Sequence, residues 1–263
     1  MNANLQKVFI TLGWPKGLVL AIVFACRLIA QTQSPAQDYD RPVSWKLLVP
    51  NVLSDQKAIW LSPLKLTEDH NWVPVVSVIG VTAGLFAIDP YEARYFHTAS
   101  TFQGFNGVFT GNATLLGSIL APVSLYAIGL GRKDTKMQHT ALLAGEAVAN
   151  AEILTTVLKD IDRRARPASF PAHGNYWDSW EDGKGSFVRG NGSFPSGHAI
   201  AAFSIATVIA HRYRTHRWVP YVAYGMAGLV GFSRLTLSAH FASDVFVGAV
   251  LGYSISRFAV LRY

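Results

Sequence analysis

The chain has 263 residues, of which 50% are hydrophobic and only 15% are charged, below the roughly 25% of charged residues in ordinary soluble domains. This length predicts one domain with an appended N-terminal segment. The net charge of +7 is compatible with solvated side chains, an anionic substrate or an anionic membrane surface. A single cysteine excludes an internal disulfide framework, and no nucleic-acid-binding motif or regular repeat is present, so neither nucleic acid nor an obligate protein partner is expected.

Residues 1–30 have the pattern of a signal-like or anchoring segment. Lys7 and Lys16 precede a short apolar run, residues 17–25, and Ala30 precedes a polar stretch, as in a cleavable signal peptide. Arg27 interrupts the apolar part and weakens a transmembrane interpretation. Whether this segment is cleaved is left open.

Residues 31–72 are predicted to form an irregular extension, because prolines interrupt them at short intervals. A short helix near 55–61 is the exception, and no function is assigned to the segment. Residues 73–263 are predicted to form the catalytic domain.

The catalytic domain is predicted to be all-α, a membrane-embedded bundle of six helices. Glycine, alanine and serine recur at close intervals in the apolar runs, which favours the close helix packing of membrane bundles. Glu146, Asn150 and Glu152 inside the third run fit the alternative, a buried polar cluster in a soluble bundle. The six helices are expected near 74–88, 112–130, 138–160, 197–213, 218–234 and 241–260.

Lys159-x6-Arg166-Pro167 ends the third predicted helix. Pro167 restricts Arg166 to an extended conformation, and the arginine fork binds phosphate in a bidentate manner. Lys159, Arg163 and Arg164 also have a simpler explanation, as cations that stabilise a helix C-terminus.

Pro195-Ser196-Gly197-His198 opens the fourth predicted helix. Ser196 is a natural N-cap, Gly197 lets a ligand approach the backbone, and the free N–H groups of the first turn attract anions. His198 then stands at the rim of an anion site, where it can protonate a leaving oxygen. A routine helix cap would explain the same residues.

Ser233-Arg234-x5-His240-x3-Asp244 joins the fifth and sixth predicted helices. A carboxylate four residues after a histidine can accept the Nδ1 proton, which leaves Nε2 as a free lone pair for nucleophilic attack. A turn brings Arg234 beside the same site. Taken alone, this stretch is better explained by an ordinary His–Asp pair at a helix start, where the helix dipole stabilises Asp244.

Together these motifs resemble the phosphatidic acid phosphatase type 2 and vanadium haloperoxidase superfamily over roughly residues 112–260. The resemblance implies that His240 attacks phosphorus to form a phosphohistidine, that Asp244 holds His240, and that His198 protonates the leaving oxygen and then activates water. No metal or other cofactor is expected, because cations can neutralise the phosphate oxygens. The phosphate-binding residues that the resemblance implies are Lys159, Arg166, Arg234, Ser196 and Gly197.

Helix polarity places all three motifs at one face of the bundle, since helices end at Lys159 and Arg234 and begin at His198 and beside His240. The opposite connections, 131–138 and 211–218, are rich in arginine and lysine and are expected in the cytoplasm. The active face would then look towards the periplasm or exterior of a bacterial-type cell envelope. A cleaved signal peptide conflicts with six spanning helices, so a secreted periplasmic bundle remains the alternative.

The connection Ala168–Phe194 is rich in aromatic residues and has two interpretations. It is either a lid that rests on lipid chains or a surface loop stapled by its aromatic side chains.

Three functions compete. The first is hydrolysis of a membrane lipid phosphate or diphosphate, such as phosphatidate, phosphatidylglycerol phosphate or undecaprenyl diphosphate. The second is a soluble secreted acid phosphatase of broad specificity, and the third is a vanadate-dependent haloperoxidase, which the short apolar chain disfavours. The sequence favours the first, with a phosphorylated lipid as the substrate.

Overall fold

In a computed structural model of the protein, the described residues are Ala21, 41–62, 73–180 and 192–261. They form eight α-helices and no strand, which confirms the predicted all-α fold. The helices are α1 (Leu48–Leu61), α2 (Val73–Thr98), α3 (Gln103–Val108), α4 (Gly111–Gly131), α5 (Thr135–Asp162), α6 (Gly197–Arg212), α7 (Trp218–Thr236) and α8 (Ala242–Ser254).

Two predictions about helix bounds need correction. Residues 48–61, within the segment predicted to be irregular, form a 14-residue helix, because Pro50 falls in the first turn, where a backbone N–H has no helical partner to lose. Helix α2 does not end near residue 88 but passes through Pro90 to Thr98. Apart from Ala21, the signal-like residues 1–30 lie outside the described residues.

Helix starts and ends are fixed by local side-chain chemistry. Thr110, Asp134 and Ser196 cap α4, α5 and α6 by accepting hydrogen bonds from backbone N–H groups of the first turns. Arg163 adopts a left-handed conformation with φ of 49°, which ends α5 and turns the chain into the site. A π-helical turn, Ile255–Val260, continues α8.

Helix α6 lies at the centre and packs against α5, α7 and α8. The approach of α8 is close enough to require glycine, since a Cβ on Gly248 would lie 2.8 Å from the Ser196 carbonyl oxygen and 3.1 Å from Ala199 Cβ. The start of α6, which carries the Pro-Ser-Gly-His motif, therefore rests directly on α8.

Much of the outer surface is apolar. Three segments in the described part of the chain, Gly111–Gly131, Thr135–Ser169 and Ala242–Val260, are long and apolar enough to cross a bilayer. Only 17% of the most apolar stretch of α4 is buried, and its leucines and isoleucines face outward. This surface is that of an integral membrane protein.

A buried polar cluster fastens α1 to α5. Arg41 Nη1 lies 2.8 Å from Asp55 Oδ2 and 3.7 Å from Glu146 Oε2. We call this group the Arg41 cluster, and three side-chain amides complete it. Asn51 donates to Glu146 over 2.8 Å and Asn150 donates to Asp55 over 3.0 Å. Gln56 in turn donates to Asn150 over 2.9 Å. Glu146 and Asn150 are buried as predicted for a polar cluster, whereas Glu152 is exposed.

Candidate active site

Backbone hydrogen bonds join the three motifs at one end of the bundle. Ser196 N donates to the Asp244 carbonyl over 3.0 Å, and Ala168 N donates to the Ser238 carbonyl over 2.9 Å. Ser193 N donates to the Arg164 carbonyl over 2.7 Å. The end of α5, the start of α6 and the loop before α8 thus meet as the helix polarity predicts.

His240 is 1% exposed and is held through Nδ1. This nitrogen lies 2.6 Å from the Ser193 carbonyl oxygen. Because a carbonyl can only accept, Nδ1 carries the proton and Nε2 keeps its lone pair.

Asp244 reaches His240 less directly than the sequence predicts. Its Oδ2 lies 3.7 Å from His240 Nδ1, which is too long for a hydrogen bond. The same Oδ2 accepts from the Ser193 hydroxyl over 2.6 Å and from Phe241 N over 2.9 Å. Ser193 therefore stands between the two side chains.

Arg164 is the principal residue that the sequence interpretation missed. It is 2% exposed and donates to Asp244 Oδ1 over 2.6 Å and to Asp89 Oδ2 over 2.7 Å. Ser243 accepts a third hydrogen bond over 2.8 Å. We call Arg164, Asp89, Asp244 and Ser243 the Arg164 cluster. The only sequence signal for Arg164 was a cation near a helix end, which is common.

The three predicted phosphate-binding cations approach the histidines from different elements. Arg234 is 1% exposed, and its Nη2 donates to the Phe109 carbonyl over 2.7 Å and to Ser233 Oγ over 2.8 Å. Arg166 Nη1 lies 3.5 Å from the Ala239 carbonyl oxygen. Lys159 Nζ lies 3.8 Å from the Cβ position of Gly197. Each cation thus borders a different stretch of backbone around the site.

His198 lies beside the start of α4, where its Nε2 is 3.1 Å from the Gly111 carbonyl oxygen. Burial first, and then the charge of Arg234, lowers the pKa of His198 to about 4. Burial lowers the pKa of His240 to about 3, although nearby Asp244 raises it, and Arg166 and Lys159 lower it further. Both imidazoles are therefore neutral at pH 7, and the positive charge beside them favours an anion.

An apolar cavity of about 780 Å³ lies between α4, α6 and α7. Phe109, whose carbonyl binds Arg234, lines it, and so does Val230, one turn before Arg234. From the catalytic end the cavity extends as far as Arg132 and Trp218 at the opposite end of these helices.

The described part of the aromatic connection is stapled to the bundle. Tyr176 is 1% exposed, contacts Phe170 and Phe241, and its hydroxyl lies 3.1 Å from His97 Nδ1. Trp180 stacks on Phe86. Residues 181–191, on which a lid would also depend, lie outside the described residues.

In the described ranges, no group of three or more His, Cys, Asp or Glu side chains is placed to hold a metal ion.

Two neutral histidines beside three cations, at one end of an apolar helical bundle, form a positively charged site that suits an oxyanion. The family model of the PAP2 superfamily matches residues 140–263, which contain all three motifs. Phosphatidylglycerophosphatase B of Bacillus subtilis is 34% identical over 158 residues, covering 56% of this chain and 70% of that protein. The chain belongs to the PAP2 superfamily.

Two further relatives extend the similarity beyond the family model. Lipid A 1-phosphatase of Porphyromonas gingivalis is 39% identical over 247 residues, covering 91% of this chain but 48% of that protein. This chain thus spans about half the length of that relative. Lipid phosphate phosphatase 2 of Arabidopsis thaliana is 24% identical over 227 residues, covering 74% of this chain and 76% of that protein. No solved structure matches the chain significantly.

Proposed function

We propose that the protein hydrolyses the phosphate monoester or diphosphate of a membrane lipid through a phosphohistidine on His240. The observation that carries this proposal is the neutral His240, with Nδ1 bonded to the Ser193 carbonyl and Nε2 left as a lone pair, in a site with three cations. Phosphoryl transfer depends mainly on positioning and on neutralising the phosphate oxygens, and this arrangement supplies both.

The apolar cavity supports a lipid substrate over a soluble one. It touches the catalytic end at Phe109 and offers an apolar volume of about 780 Å³ in which hydrocarbon chains are shielded from water. The relatives are also named as lipid phosphatases, including one for lipid A and one for phosphatidylglycerophosphate. A soluble acid phosphatase or a haloperoxidase is disfavoured by both observations.

The proposed reaction has two steps that share one site. In the first, the Nε2 lone pair of His240 forms a bond to phosphorus, the bond from phosphorus to the lipid oxygen breaks, and protonated His198 gives its proton to that oxygen. In the second, His198 takes a proton from water, the water oxygen bonds to phosphorus, and the P–N bond breaks to release phosphate.

Charge explains how His198 can act as an acid although it is neutral in the free site. Arg234, Lys159 and Arg166 all lower the pKa of His198. A bound phosphate dianion offsets these cations and raises the pKa of His198, so that substrate binding favours its protonation. The Nε2 position is bonded to Gly111, which leaves Nδ1 as the nitrogen that transfers the proton.

The proposed orientation places the site on the periplasmic or exterior side. Arg132 and Lys133 lie in the connection from α4 to α5, and Lys136 lies in the first turn of α5. Arg212 ends α6, and Arg214 and Arg217 lie in the connection to α7. Both connections lie at the helix ends opposite the motifs, and the positive-inside rule assigns such connections to the cytoplasm.

The test is a panel of lipid phosphates, lipid diphosphates and p-nitrophenyl phosphate with the purified full chain in detergent. We expect His240→Ala to abolish phosphate release from all of them. His198→Ala should lower kcat/KM by roughly 10²–10⁴-fold for lipid esters, which need a proton on the leaving oxygen, and much less for p-nitrophenyl phosphate, whose leaving group is stable as an anion. The ratio kcat/KM includes only the steps up to release of the leaving group, so it excludes the attack of water, in which His198 serves both substrates. No phosphate release from any substrate, or an active His240→Ala variant, would overturn the proposal.

A further inference from the structure

We infer that Arg164 is a positioning residue, itself fixed by Asp89 of α2. It holds the Asp244 carboxylate and Ser193, the two groups that lie against the Nδ1 side of His240. This inference rests on the proposed function of His240 as the nucleophile. Asp89 lies outside residues 140–263, so the family match does not account for it.

The first group that Arg164 holds is the carboxylate of Asp244. The guanidinium binds Oδ1 over 2.6 Å, while Oδ2 accepts from Ser193 and Phe241. Both carboxylate oxygens are thus fixed by donors, and Oδ2 is kept 3.7 Å from His240 Nδ1. A negative charge at this position stabilises the positive imidazole ring that forms when Nε2 bonds to phosphorus.

The second group is Ser193, whose carbonyl oxygen accepts the Nδ1 proton. The Arg164 carbonyl accepts from Ser193 N over 2.7 Å, so the backbone of Arg164 fixes the peptide that orients His240. The Ser193 hydroxyl in turn binds Asp244 over 2.6 Å. One residue therefore anchors the hydrogen-bond acceptor of His240 with its backbone and the neighbouring charge with its side chain.

Arg164 can do this because it is itself immobilised. Its guanidinium lies 3.8 Å from the centre of the Phe241 ring and 4.6 Å from that of Trp180, and Nε donates to Ser179 over 3.2 Å. Asp89 holds the remaining nitrogen over 2.7 Å and also accepts from Ser243 N over 3.0 Å, which ties α2 to the first turn of α8. A cation that merely stabilised the end of α5 would need neither carboxylate.

The experiment compares Arg164→Lys, Arg164→Gln and Asp89→Asn with a matched control, Arg41→Gln. Arg41 is also a buried arginine between two carboxylates, with a side chain 4% exposed, but its partner Glu146 precedes Lys159 by thirteen residues, or roughly 20 Å of helix. Steady-state kcat and KM on a lipid phosphate, the Kd for inorganic phosphate and the Tm are measured for each variant. Inorganic phosphate reports on the three cations, and no described side-chain contact joins these cations to Arg164.

For Arg164→Gln we expect kcat to fall roughly 10–100-fold, as when a residue that orients a functional ligand is removed, while KM and the Kd for inorganic phosphate stay near wild type. Arg164→Lys should recover part of kcat because it keeps the charge, and Asp89→Asn should show a smaller loss of the same kind. Arg41→Gln should lower Tm and leave kcat unchanged.

Wild-type kcat in Arg164→Gln, or an equal loss of kcat in Arg41→Gln, overturns the inference. A parallel loss of phosphate affinity and kcat in the Arg164 variants also overturns it, since that pattern marks general disruption. If Arg164→Gln does not fold, Arg164→Lys and Asp89→Asn decide in the same way. Failure of the proposed function is a separate result, namely an inactive wild type or an active His240→Ala variant.

Discussion

The bundle contains two buried arginine clusters that look alike in composition and differ in what they touch. In the Arg41 cluster, a buried arginine lies between Asp55 and Glu146, and side-chain amides bind both carboxylates. In the Arg164 cluster, a buried arginine lies between Asp89 and Asp244, and Asp244 binds Ser193, which in turn contacts His240. Among the described contacts, those of the Arg164 cluster lead to a histidine with a free lone pair and those of the Arg41 cluster do not.

The comparison shows that burial of charge does not by itself mark a catalytic site. Burying an ion pair costs desolvation energy in both clusters, and the pairing largely offsets that cost without adding much net stability. The Arg164 cluster differs in that Asp244 binds Ser193, whose carbonyl oxygen contacts His240. In the proposed reaction only the charge beside His240 acts on a reacting group, whereas the charge that fastens α1 to α5 has a structural role.

The largest expected effect contrasts Asp244→Asn with Asp55→Asn, which make the same change in the two clusters. Asp244→Asn should lower kcat by roughly 10²–10³-fold, because it removes the negative charge that stabilises the positive imidazole ring formed in the reaction. Asp55→Asn should leave kcat near wild type and destabilise the fold by about 3–5 kcal/mol, because Arg41 loses a charged partner. Initial rates and thermal unfolding in the same detergent measure both. Equal losses of kcat in the two variants would contradict the distinction.

A second expected effect concerns the packing that supports each cluster. Gly248→Ala should cost about 1–3 kcal/mol and reduce kcat, since its Cβ would lie 2.8 Å from the Ser196 carbonyl oxygen and push the start of α6 away from α8. Gly145→Ala, beside Glu146 on α5, meets nothing within 4 Å and should be neutral or stabilising by about 0.5–1 kcal/mol. Thermal unfolding and kcat are again the measurements. A harmless Gly248→Ala would show that the two helices can separate without cost.

The sequence predicted the family, the all-α fold and most helix bounds, because long apolar runs and fixed motif spacings are local signals. It located Lys159, His198 and His240 in motifs whose helix ends meet, and the structure brings those ends together. It did not predict Arg164, since a cation near a helix end has an ordinary explanation and its partner Asp89 lies 75 residues away. That pairing depends on how α2 packs against α8, which no local pattern encodes.

The direct His240–Asp244 hydrogen bond was predicted from their four-residue spacing, yet Ser193 lies between them. Phe241 N binds Asp244 Oδ2, so the carboxylate caps α8 and points partly away from the imidazole. The backbone carbonyl of Ser193 then takes the Nδ1 proton. Spacing along one helix start could not reveal an acceptor contributed by a loop 47 residues earlier.

The smallest expected effect is the part of the pH dependence of stability that comes from the two site histidines. The pKa values of His240 and His198 are lowered to about 3 and about 4, from an ordinary value of about 6.5. As pH falls below about 6.5, the unfolded chain binds protons that the folded protein does not. The stability present above that pH is therefore lost, by at most about 1.4 kcal/mol per pH unit for each histidine. Burial raises the pKa of Glu92 to about 8, which acts in the opposite direction, so the test is the difference between variants. Between pH 7 and pH 4.5, the slope of Tm against pH should be less positive in His240→Gln than in the wild type, because the variant lacks one such histidine. An unchanged slope in His240→Gln would mean that His240 is not held neutral in the folded protein, which would remove the basis for its role as a nucleophile.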